Sequence, residues 1–475
     1  MIRLIQKITE YSVMSVIKGL NPVWRLKWIH KQFAELLRLP NRKKEENEAQ
    51  EILEMLININ NLRGNDLQNI RNIKLLQILQ YANKNCTYYK HLFKQNSFNP
   101  SSLNGFERIP LLDKEIIRIK RPELISNKIG SMDYYNMNTG GSTGEPLEFL
   151  VSNFAGKIDA IHQEFVFKTT MNYIPGDIIV AFDGSSVPLE LLEVNKFWVE
   201  TSSKDLPYGR LSYSSLYLKD DTISYYVKHI LENKPKIFRG YPSFINDVAE
   251  YILRKNITIP YQIKGVQLTA ENVHDWQIEN IRKAFDTDVF MQYGHSEVSI
   301  FGYTYDNTHE YFCSPFYGYT EVLGEECQHV KPGEVGEVVV TGFNNFAMPF
   351  IRYKTGDLAL FNGDENGIVK LGKIIGRTQD FIYDKNREKV ALTALIFGQH
   401  FGAFKNIRKW QLQQDIPGAI KVRITKEDRF CVEDEIEIRS KFKDICGIDT
   451  EFEYVTIVPL TARGKFRFLI QNVIA

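Results

Sequence analysis

Cysteine is scarce in this chain of 475 residues, which has five cysteines and no C-x-x-C pair. Its nine histidines show no H-x-x-x-H or comparable spacing. Neither a disulfide framework nor a cysteine or histidine zinc site is therefore expected. Sparse, unpaired cysteines are typical of proteins in the reducing cytoplasm.

Long apolar segments and a surplus of one charge are also missing. No window of 18 apolar residues is free of charges, so no membrane-spanning helix is predicted. The 59 Lys and Arg residues nearly balance the 58 Asp and Glu residues, which leaves a net charge of +1. We therefore expect no nucleic-acid partner. The hydrophobic share of 43% and the charged share of 25% are those of a globular protein.

The start of the chain is the basic part of it. Residues 1–45 carry ten Lys and Arg against three Glu, a balance of +7, and their first apolar residues have helical spacing. Lys7 and Glu10 interrupt that segment and no small-residue cleavage site follows, which argues against a secretory signal. Two interpretations stay open: a helix that packs on the body of the protein, or a basic amphipathic helix on an anionic membrane. The predicted location is the cytoplasm, with peripheral contact at the inner membrane face under the second interpretation.

The organisation of the chain changes twice. Short β-rich segments alternate with helical ones over residues 155–292, strands dominate 311–372, and a new α+β pattern starts near 377. This predicts an α/β fold, with a large N-terminal domain of layered sheets and a β-rich subdomain, plus a small mobile α+β C-terminal domain. The predicted boundaries are a helical basic extension over 1–85, the large domain over 86–376 and the small domain over 377–475.

A glycine- and hydroxyl-rich segment is the first candidate site. Residues 138–146 read Asn-Thr-Gly-Gly-Ser-Thr-Gly-Glu-Pro. Such a loop can surround phosphate oxygens with backbone amides and hydroxyls. A Walker P-loop is excluded because Glu145 follows Gly144 where that motif requires lysine. A flexible surface turn is the alternative.

Three more motifs carry candidate chemistry. Residues 291–297 read Met-Gln-Tyr-Gly-His-Ser-Glu, so that an aromatic ring suited to a base is followed by a carboxylate suited to Mg²⁺. Residues 351–357 end in Gly-Asp, and that aspartate could accept hydrogen bonds from ribose hydroxyls, with Arg377 twenty residues on. Lys465 follows a glycine near the C-terminus. Each motif taken alone is also compatible with a strand end, a surface turn or a solvated side chain.

In order and spacing, the four motifs resemble those of the adenylate-forming superfamily of acyl-CoA synthetases, peptide-synthetase adenylation domains and luciferases. The chain is most similar to the phenylacetate-CoA ligase/CapK branch, which is found with capsular polysaccharide synthesis. That branch is indicated by Tyr88-Tyr-Lys, Ile109-Pro-Leu-Leu-Asp-Lys114, Arg239-Gly-Tyr-Pro-Ser243 and Leu268-Thr-Ala-Glu271. The resemblance extends from about Tyr88 to the end of the chain.

The resemblance implies a site for ATP and Mg²⁺ in the large domain. The residues that would hold the β- and γ-phosphates are Thr139, Gly140, Gly141, Ser142, Thr143, Gly144 and Glu145. Those that would surround the adenine are Ala270, Glu271, Gln292 and Tyr293, the last stacked on the ring, with Gly294 in the same motif.

The remaining implied roles concern the reacting groups. Ser296 would touch the α-phosphate and Glu297 would bind Mg²⁺, while Asp357 and Arg377 would take the ribose hydroxyls. Lys465 would bridge the acyl carboxylate and the α-phosphate. Both Lys465 and Glu297 are therefore the predicted catalytic residues.

The sequence departs from the superfamily pattern in three places. Leu147 stands where many members have a lysine after the phosphate loop, Gln379 stands at the usual hinge position, and the turn at 385–389 lacks glycine. The last two affect the transfer step more than adenylation, so coenzyme A is one candidate acceptor beside others.

The implied activity is ATP-dependent activation of a small carboxylic acid as an acyl adenylate, with release of pyrophosphate. The acyl group would pass to a thiol, or to an amine or hydroxyl group of a sugar, in surface polysaccharide synthesis. The alternatives are a phenylacetate-type aryl-CoA ligase of aromatic catabolism and a non-catalytic scaffold of the glycan machinery. Four residues suggest an apolar or aromatic acyl pocket, or are ordinary core: Phe182, Tyr241, Phe244 and Phe301.

Overall fold

The computed structural model describes residues 42–59, 66–138, 147–200, 209, 211–306, 308–377, 381–391, 403, 406–427, 429–460 and 466–473. Within these ranges, no helix combines the length and the apolar character that crossing a membrane requires. Residues 1–41 lie outside the described part, so both interpretations of the basic start stay predictions.

The first described helices pack against the large domain. They are α1 (Arg42–Ile57), α2 (Asp66–Asn85), α3 (Thr87–Gln95) and α4 (Lys114–Leu124). Buried side chains of α1 and α2 such as Ile52 and Leu79 share one hydrophobic core with the strands described below. The Tyr81 hydroxyl donates to the Phe346 carbonyl at 3.0 Å. The helices before residue 86 and the residues after it therefore form one packed unit.

The middle of the chain alternates strands and helices. Its elements are β1 (Tyr134–Asn138), β2 (Glu148–Ser152), α5 (Asn153–Thr170), β3 (Ile179–Asp183), α6 (Leu189–Leu192), β4 (Trp198–Glu200), β5 (Leu211–Ser214), α7 (Ile223–Asn233), β6 (Ile237–Gly240), α8 (Pro242–Arg254), β7 (Gly265–Thr269), α9 (Asp275–Phe285) and β8 (Val289–Gly294). Strands β5, β3, β6, β7 and β8 lie side by side and run parallel. Helices connect consecutive parallel strands because such a connection must return the chain to the same end of the sheet.

The β-rich segment continues the same sheet. Its strands are β9 (Phe301–Tyr303), β10 (Tyr311–Cys313), β11 (Gly318–Leu323), β12 (Val335–Gly342), β13 (Tyr353–Glu365) and β14 (Ile368–Arg377). They pair antiparallel, and the complete order is β11-β12-β13-β14-β10-β9-β8-β7-β6-β3-β5-β4. The predicted β-rich subdomain is thus the antiparallel half of a sheet whose other half is mostly parallel.

The end of the chain has its own hydrophobic core. Its elements are β15 (Phe381–Tyr383), β16 (Lys389–Ala391), β17 (Ile407–Ile416), β18 (Ala419–Lys426), α10 (Val432–Cys446), β19 (Asp449–Tyr454) and β20 (Leu469–Gln471). Helix α10 ends at Cys446 and is capped by Gly447, which adopts the left-handed conformation (φ +64°) that glycine tolerates best. Ile438 and Phe442 on α10 are buried against Leu412 and Val422 of the small sheet. The predicted fold class is confirmed.

A buried ion pair joins the antiparallel strands to the segment before α4. Arg352 forms a bidentate pair with Glu321, at 3.1 Å through Nε and 3.0 Å through Nη2. Its Nη1 donates to the carbonyl of Ile109 at 2.6 Å and to that of Glu107. Burial raises the pKa of Glu321, and the charge and hydrogen bonds of Arg352 oppose that rise. The arginine therefore compensates a carboxylate that has no access to water.

Removing the cation should destabilise the large domain strongly. We expect Arg352→Met to lower the free energy of unfolding by about 3–5 kcal/mol, because Glu321 would be left buried with only His329, at 3.5 Å, as an ion-pair partner. Lys283→Met is the control, since Lys283 pairs with Glu279 at the exposed surface and its loss should cost about 0–1 kcal/mol. Urea unfolding of both variants measures the difference, and equal small losses would contradict the importance of the buried pair.

Candidate active site

The motifs converge at one edge of the large sheet. Strands β6, β7 and β8 run parallel, and they end at Gly240, Thr269 and Gly294. In open α/β sheets, ligands bind outside the carboxyl ends of the strands. Gly240 permits the close packing of this edge, because a Cβ there would lie 2.0 Å from the carbonyl oxygen of Phe182. The predicted adenine residues that follow β7 and end β8 are thereby neighbours.

Two tyrosine–carboxylate hydrogen bonds join two of the motifs reciprocally. The Tyr293 hydroxyl donates to Oδ2 of Asp357 at 2.9 Å. The Tyr353 hydroxyl donates to Oε1 of Glu297 at 2.7 Å. Each motif contains a tyrosine followed four residues later by a carboxylate, and each tyrosine binds the carboxylate of the other motif. The predicted base, ribose and metal residues are thus held in one arrangement.

Glu297 is a buried anion with several compensating partners. Its side chain is 6% exposed, and its Oε2 lies 3.2 Å from Nδ1 of His295. Burial would raise its pKa, but His295, the Tyr353 hydroxyl and the charge of Lys114 together lower the pKa to about 2. Glu297 is therefore ionised at neutral pH, as a ligand of a divalent cation must be.

The Tyr293 hydroxyl stays protonated because its surroundings raise its pKa. Burial and the negative charge of Asp357 raise the pKa of Tyr293 well above 10. The backbone N–H of Asp357 donates to the Thr355 hydroxyl at 3.0 Å, and Asp357 pairs with Arg377 across β13 and β14. The two predicted ribose residues are therefore neighbours in the backbone, while the side chain of Arg377 lies outside the described part.

The end of β7 positions the other adenine candidates. The Thr269 hydroxyl donates to Oε1 of Gln292 at 2.6 Å, which fixes the amide of Gln292 at the strand edge. Ala270 adopts the left-handed conformation (φ +70°), which is strained for a residue with a side chain. A Cβ at Gly294 would lie 2.7 Å from Nε2 of Gln292, so a larger residue there would displace it. Ser296 is half-buried next to Glu297.

Glu271 links the large domain to the small one. Its carboxylate accepts from the backbone N–H of Ser243 at 3.1 Å and from that of Phe466 at 2.7 Å. Burial raises the pKa of Glu271, and these two amides oppose the rise. A second contact between the domains pairs Lys409 with Asp247 at 2.5 Å. Phe466 directly follows Lys465 in the sequence, so the small domain meets the site next to the predicted catalytic lysine.

Several predicted residues lie outside the described part of the chain. They are Thr139, Gly140, Gly141, Ser142, Thr143, Gly144, Glu145 and Lys465. The phosphate-loop segment connects β1 to β2, which pair antiparallel with Asn138 opposite Glu148. The roles of these residues stay predictions.

The described residues fit a magnesium ion of the kind predicted. Among them, no group of three His, Cys, Asp or Glu side chains could hold a metal ion. Mg²⁺ in nucleotide sites usually keeps several waters and binds one or two carboxylates plus substrate phosphates, so one ionised carboxylate is a sufficient protein ligand. Glu297 meets that requirement.

Sequence reasoning missed three residues that shape the site. Tyr353 and His295 both contact Glu297, and Thr269 holds Gln292. Tyr353 and His295 stand inside the motifs already singled out, so their positions were visible in the sequence. Their partners were not, because the tyrosine bonds join residues 56 and 64 positions apart.

The four aromatic pocket candidates divide into core and site edge. Phe182, Phe244 and Phe301 are at most 2% exposed and belong to the hydrophobic core. The ring of Phe182 packs edge-on against those of Phe238 and Phe244. Tyr241 is only partly buried at the end of β6. The interpretation of these phenylalanines as ordinary core is therefore favoured over an aromatic acyl pocket.

Known proteins resemble both parts of the chain. Residues 382–472 match the family model described as the CapK C-terminal domain. Over 418 residues, the chain is 25% identical to protein CapK of Staphylococcus aureus, covering 86% of this chain and 90% of that protein. It is 27% identical to phenylacetate-coenzyme A ligase of Pseudomonas putida over 164 residues, 33% of this chain and 37% of that protein. The predicted resemblance to the CapK-like branch of adenylate-forming proteins is confirmed.

Solved structures share the fold. A 2-hydroxyisobutyryl-CoA ligase in the postadenylation state, in complex with R3-HIB-AMP, matches with a TM-score of 0.63 and 18% identity, covering 85% of this chain and 89% of that one. The same enzyme with 2-HIB-AMP and CoA, in the thioesterification state, matches with a TM-score of 0.54 and 19% identity, covering 84% and 88%. The CapK-like chain thus has the predicted fold of an adenylate-forming ligase.

The ionised state of Glu297 should be visible in the stability of the protein. Its pKa is about 2 in the folded protein against an ordinary value of 4.5, so its stabilising effect is fully present above pH 4.5 and is lost as the pH falls through about 2. We expect Glu297→Gln to lower the free energy of unfolding at neutral pH. The difference in this free energy between the variant and the native protein should shrink below pH 4.5. Urea unfolding across this range tests it, with the exposed Glu326→Gln as control. A difference independent of pH would contradict the prediction.

Proposed function

We propose that this protein is an ATP-dependent ligase that activates a carboxylic acid as an acyl adenylate and releases pyrophosphate. The reciprocal pair Tyr293–Asp357 and Tyr353–Glu297 carries the proposal, because it joins the residues predicted to bind the base, the ribose and the metal next to the carboxyl end of β8. The partial likeness to phenylacetate-coenzyme A ligase and the fold shared with a 2-hydroxyisobutyryl-CoA ligase support the same conclusion.

The first reaction requires positioning and charge neutralisation more than acid–base chemistry. The acyl carboxylate attacks the α-phosphorus of ATP, the bond to the bridging oxygen breaks, and pyrophosphate leaves. Asp357 and Tyr293 orient the nucleoside, and ionised Glu297 would hold Mg²⁺, which supplies charge neutralisation at the phosphates. Lys465 and the loop 139–145 would add the remaining donors.

The contacts of the small domain support a closed arrangement suited to this step. The Phe466 amide binds Glu271 and Lys409 pairs with Asp247, so residues on both sides of the domain junction are fixed next to the site. The higher TM-score for the postadenylation state than for the thioesterification state, 0.63 against 0.54, is in line with such an arrangement. We infer that the small domain, taken as starting at 377, rotates between the two half-reactions.

The second half-reaction would transfer the acyl group to a thiol or to an amine or hydroxyl of a sugar, in capsular or surface polysaccharide synthesis. The atypical Gln379 and the turn at 385–389 without glycine favour the sugar acceptor, whereas the partial likeness to phenylacetate-CoA ligase favours coenzyme A and an aryl acid. Release of AMP that depends on added coenzyme A would identify the aryl-CoA ligase. A scaffold without activity would release no pyrophosphate with any acid.

The lysine of the small domain should be required for the first step. We expect Lys465→Ala to lower the rate of ATP–pyrophosphate exchange by about 10²–10³-fold, the usual cost of losing one preorganised charge-stabilising group. Lys443→Ala is the matched control, because that lysine lies on α10 of the same domain and pairs with Asp449. Exchange at the native rate in Lys465→Ala would contradict the assigned role.

The contribution of Asp357 to ATP binding should be separable from that of Tyr293. We expect Asp357→Ala to raise the KM for ATP by about 10- to 100-fold, since hydrogen bonds to a charged group contribute about 1.5–3 kcal/mol. Tyr293→Phe keeps the ring and removes only the hydroxyl, so its KM should rise less. The KM of each variant for ATP is measured in the ATP–pyrophosphate exchange assay. A larger rise of this KM in Tyr293→Phe than in Asp357→Ala would argue against ribose binding by Asp357.

A further inference from the structure

A cluster of polar side chains lies directly behind the candidate active site. Arg239 and Gln267 are register partners on β6 and β7, and Nε of Arg239 donates to Oε1 of Gln267 at 3.0 Å. Gln267 stands two residues before Thr269, whose hydroxyl holds Gln292 at the adenine edge. The cluster is therefore continuous with the site but lies deeper in the sheet.

Helix α5 contributes a carboxylate to the same cluster. Oδ1 of Asp159 accepts from the Tyr317 hydroxyl at 2.8 Å. Burial raises the pKa of Asp159, while the Tyr317 hydroxyl and the charge of Arg239 oppose the rise. The charge of Arg239 acts on Asp159, and Arg239 also binds Gln267, so Arg239 connects the carboxylate of α5 with the amide on β7.

Two buried amides, one on β7 and one on α5, lack partners within the described ranges. Gln267 is 0% exposed and Gln163 is 1% exposed, and Nε2 of each has no hydrogen-bond partner in the described part of the molecule. Gln163 lies one helical turn after Asp159, on the same face of α5. An unpaired buried amide is costly, and native structures rarely keep one without a ligand, an ion or a water.

We propose that these residues recognise a hydroxyl group on the acyl part of the carboxylic acid substrate. The inference rests on the proposed ligase function and specifies its substrate class as hydroxylated acids. A hydroxyl both accepts from an amide, as Gln267 and Gln163 offer, and donates to a carboxylate such as Asp159. Because Asp159 and Arg239 offset each other's charge, the cluster requires no second charge on the substrate.

These polar residues differ in chemistry from the apolar or aromatic acyl pocket that the sequence suggested. The phenylalanines proposed for that lining are core residues, whereas the polar residues beside the site have unused hydrogen-bonding capacity. A pocket that hydrogen-bonds a substrate hydroxyl discriminates strongly against the acid that lacks it, because its own polar groups are then left unpaired.

ATP–pyrophosphate exchange with pairs of acids that differ only in one hydroxyl tests the proposal. Suitable pairs are phenylacetate with mandelate, butyrate with 3-hydroxybutyrate, and butyrate with 4-hydroxybutyrate; succinate tests a second charge. We expect at least one hydroxy acid to exceed its partner in kcat/KM by about 10–100-fold, and succinate to be poor. Gln267→Leu and Gln163→Leu should bring that ratio towards one.

Gln50→Leu on the exposed face of α1 is the matched control and should keep the native ratio. If Gln267→Leu fails to fold, Gln267→Met keeps the length of the side chain. Equal kcat/KM within every pair, or a preference unchanged in both glutamine variants, would overturn the proposal and leave buried water as the partner of the amides. Absence of exchange with every acid would overturn the ligase function instead. Calorimetric titration of the native protein and of Gln267→Leu with mandelate and 3-hydroxybutyrate would then still test the cluster. Equal binding of these acids to both proteins, or no binding to either, would overturn the proposed recognition of a hydroxyl group.

Discussion

The candidate site depends on the reciprocal hydrogen bonds between two motifs that are distant in sequence and in sheet order. Tyr293 binds Asp357, and Tyr353 binds Glu297, although three strands separate β8 from β13 in the sheet. Two bonds of this kind fix both the distance and the orientation of the motifs. They join the parallel half of the sheet, which ends at the candidate adenine site, to the antiparallel half, which supplies the candidate ribose residue.

Local electrostatics, and not the overall field, governs this site. The net charge of +1 divides into +7 over residues 1–45, −9 over 46–376 and +3 over 377–475. An acidic domain offers a triphosphate no broad attraction, so the proposed nucleotide site must rely on a few placed groups. His295 and Lys114 hold Glu297 ionised, and burial together with the charge of Asp357 raises the pKa of Tyr293 and keeps its hydroxyl protonated. The contact of Phe466 with Glu271 places the more basic small domain where it can add a cation.

Buried polar groups in the large domain follow two different patterns. Arg352 and Glu321 satisfy each other and the nearby carbonyl groups, which is how interior charges stabilise a fold. Gln163 and Gln267 leave one amide nitrogen each without a partner among the described residues. The first pattern is structural and the second is what a recognition site for a polar group requires. This difference is the basis on which we propose the region behind β6 and β7 as a determinant of substrate choice.

The sequence by itself determined the class of the fold and the chemistry-bearing segments. Alternating apolar strands and amphipathic helices specify an α/β sheet, and the motifs 291–297 and 351–357 contain the residues that meet at its edge. Only the tertiary structure decided which groups face each other. The bonds of Tyr353 to Glu297 and of Phe466 to Glu271 span 56 and 195 residues, and periodicity carries no information about such pairings. It also showed that Gln267 is polar, buried and incompletely paired, because a side chain's partners depend on the elements packed around it.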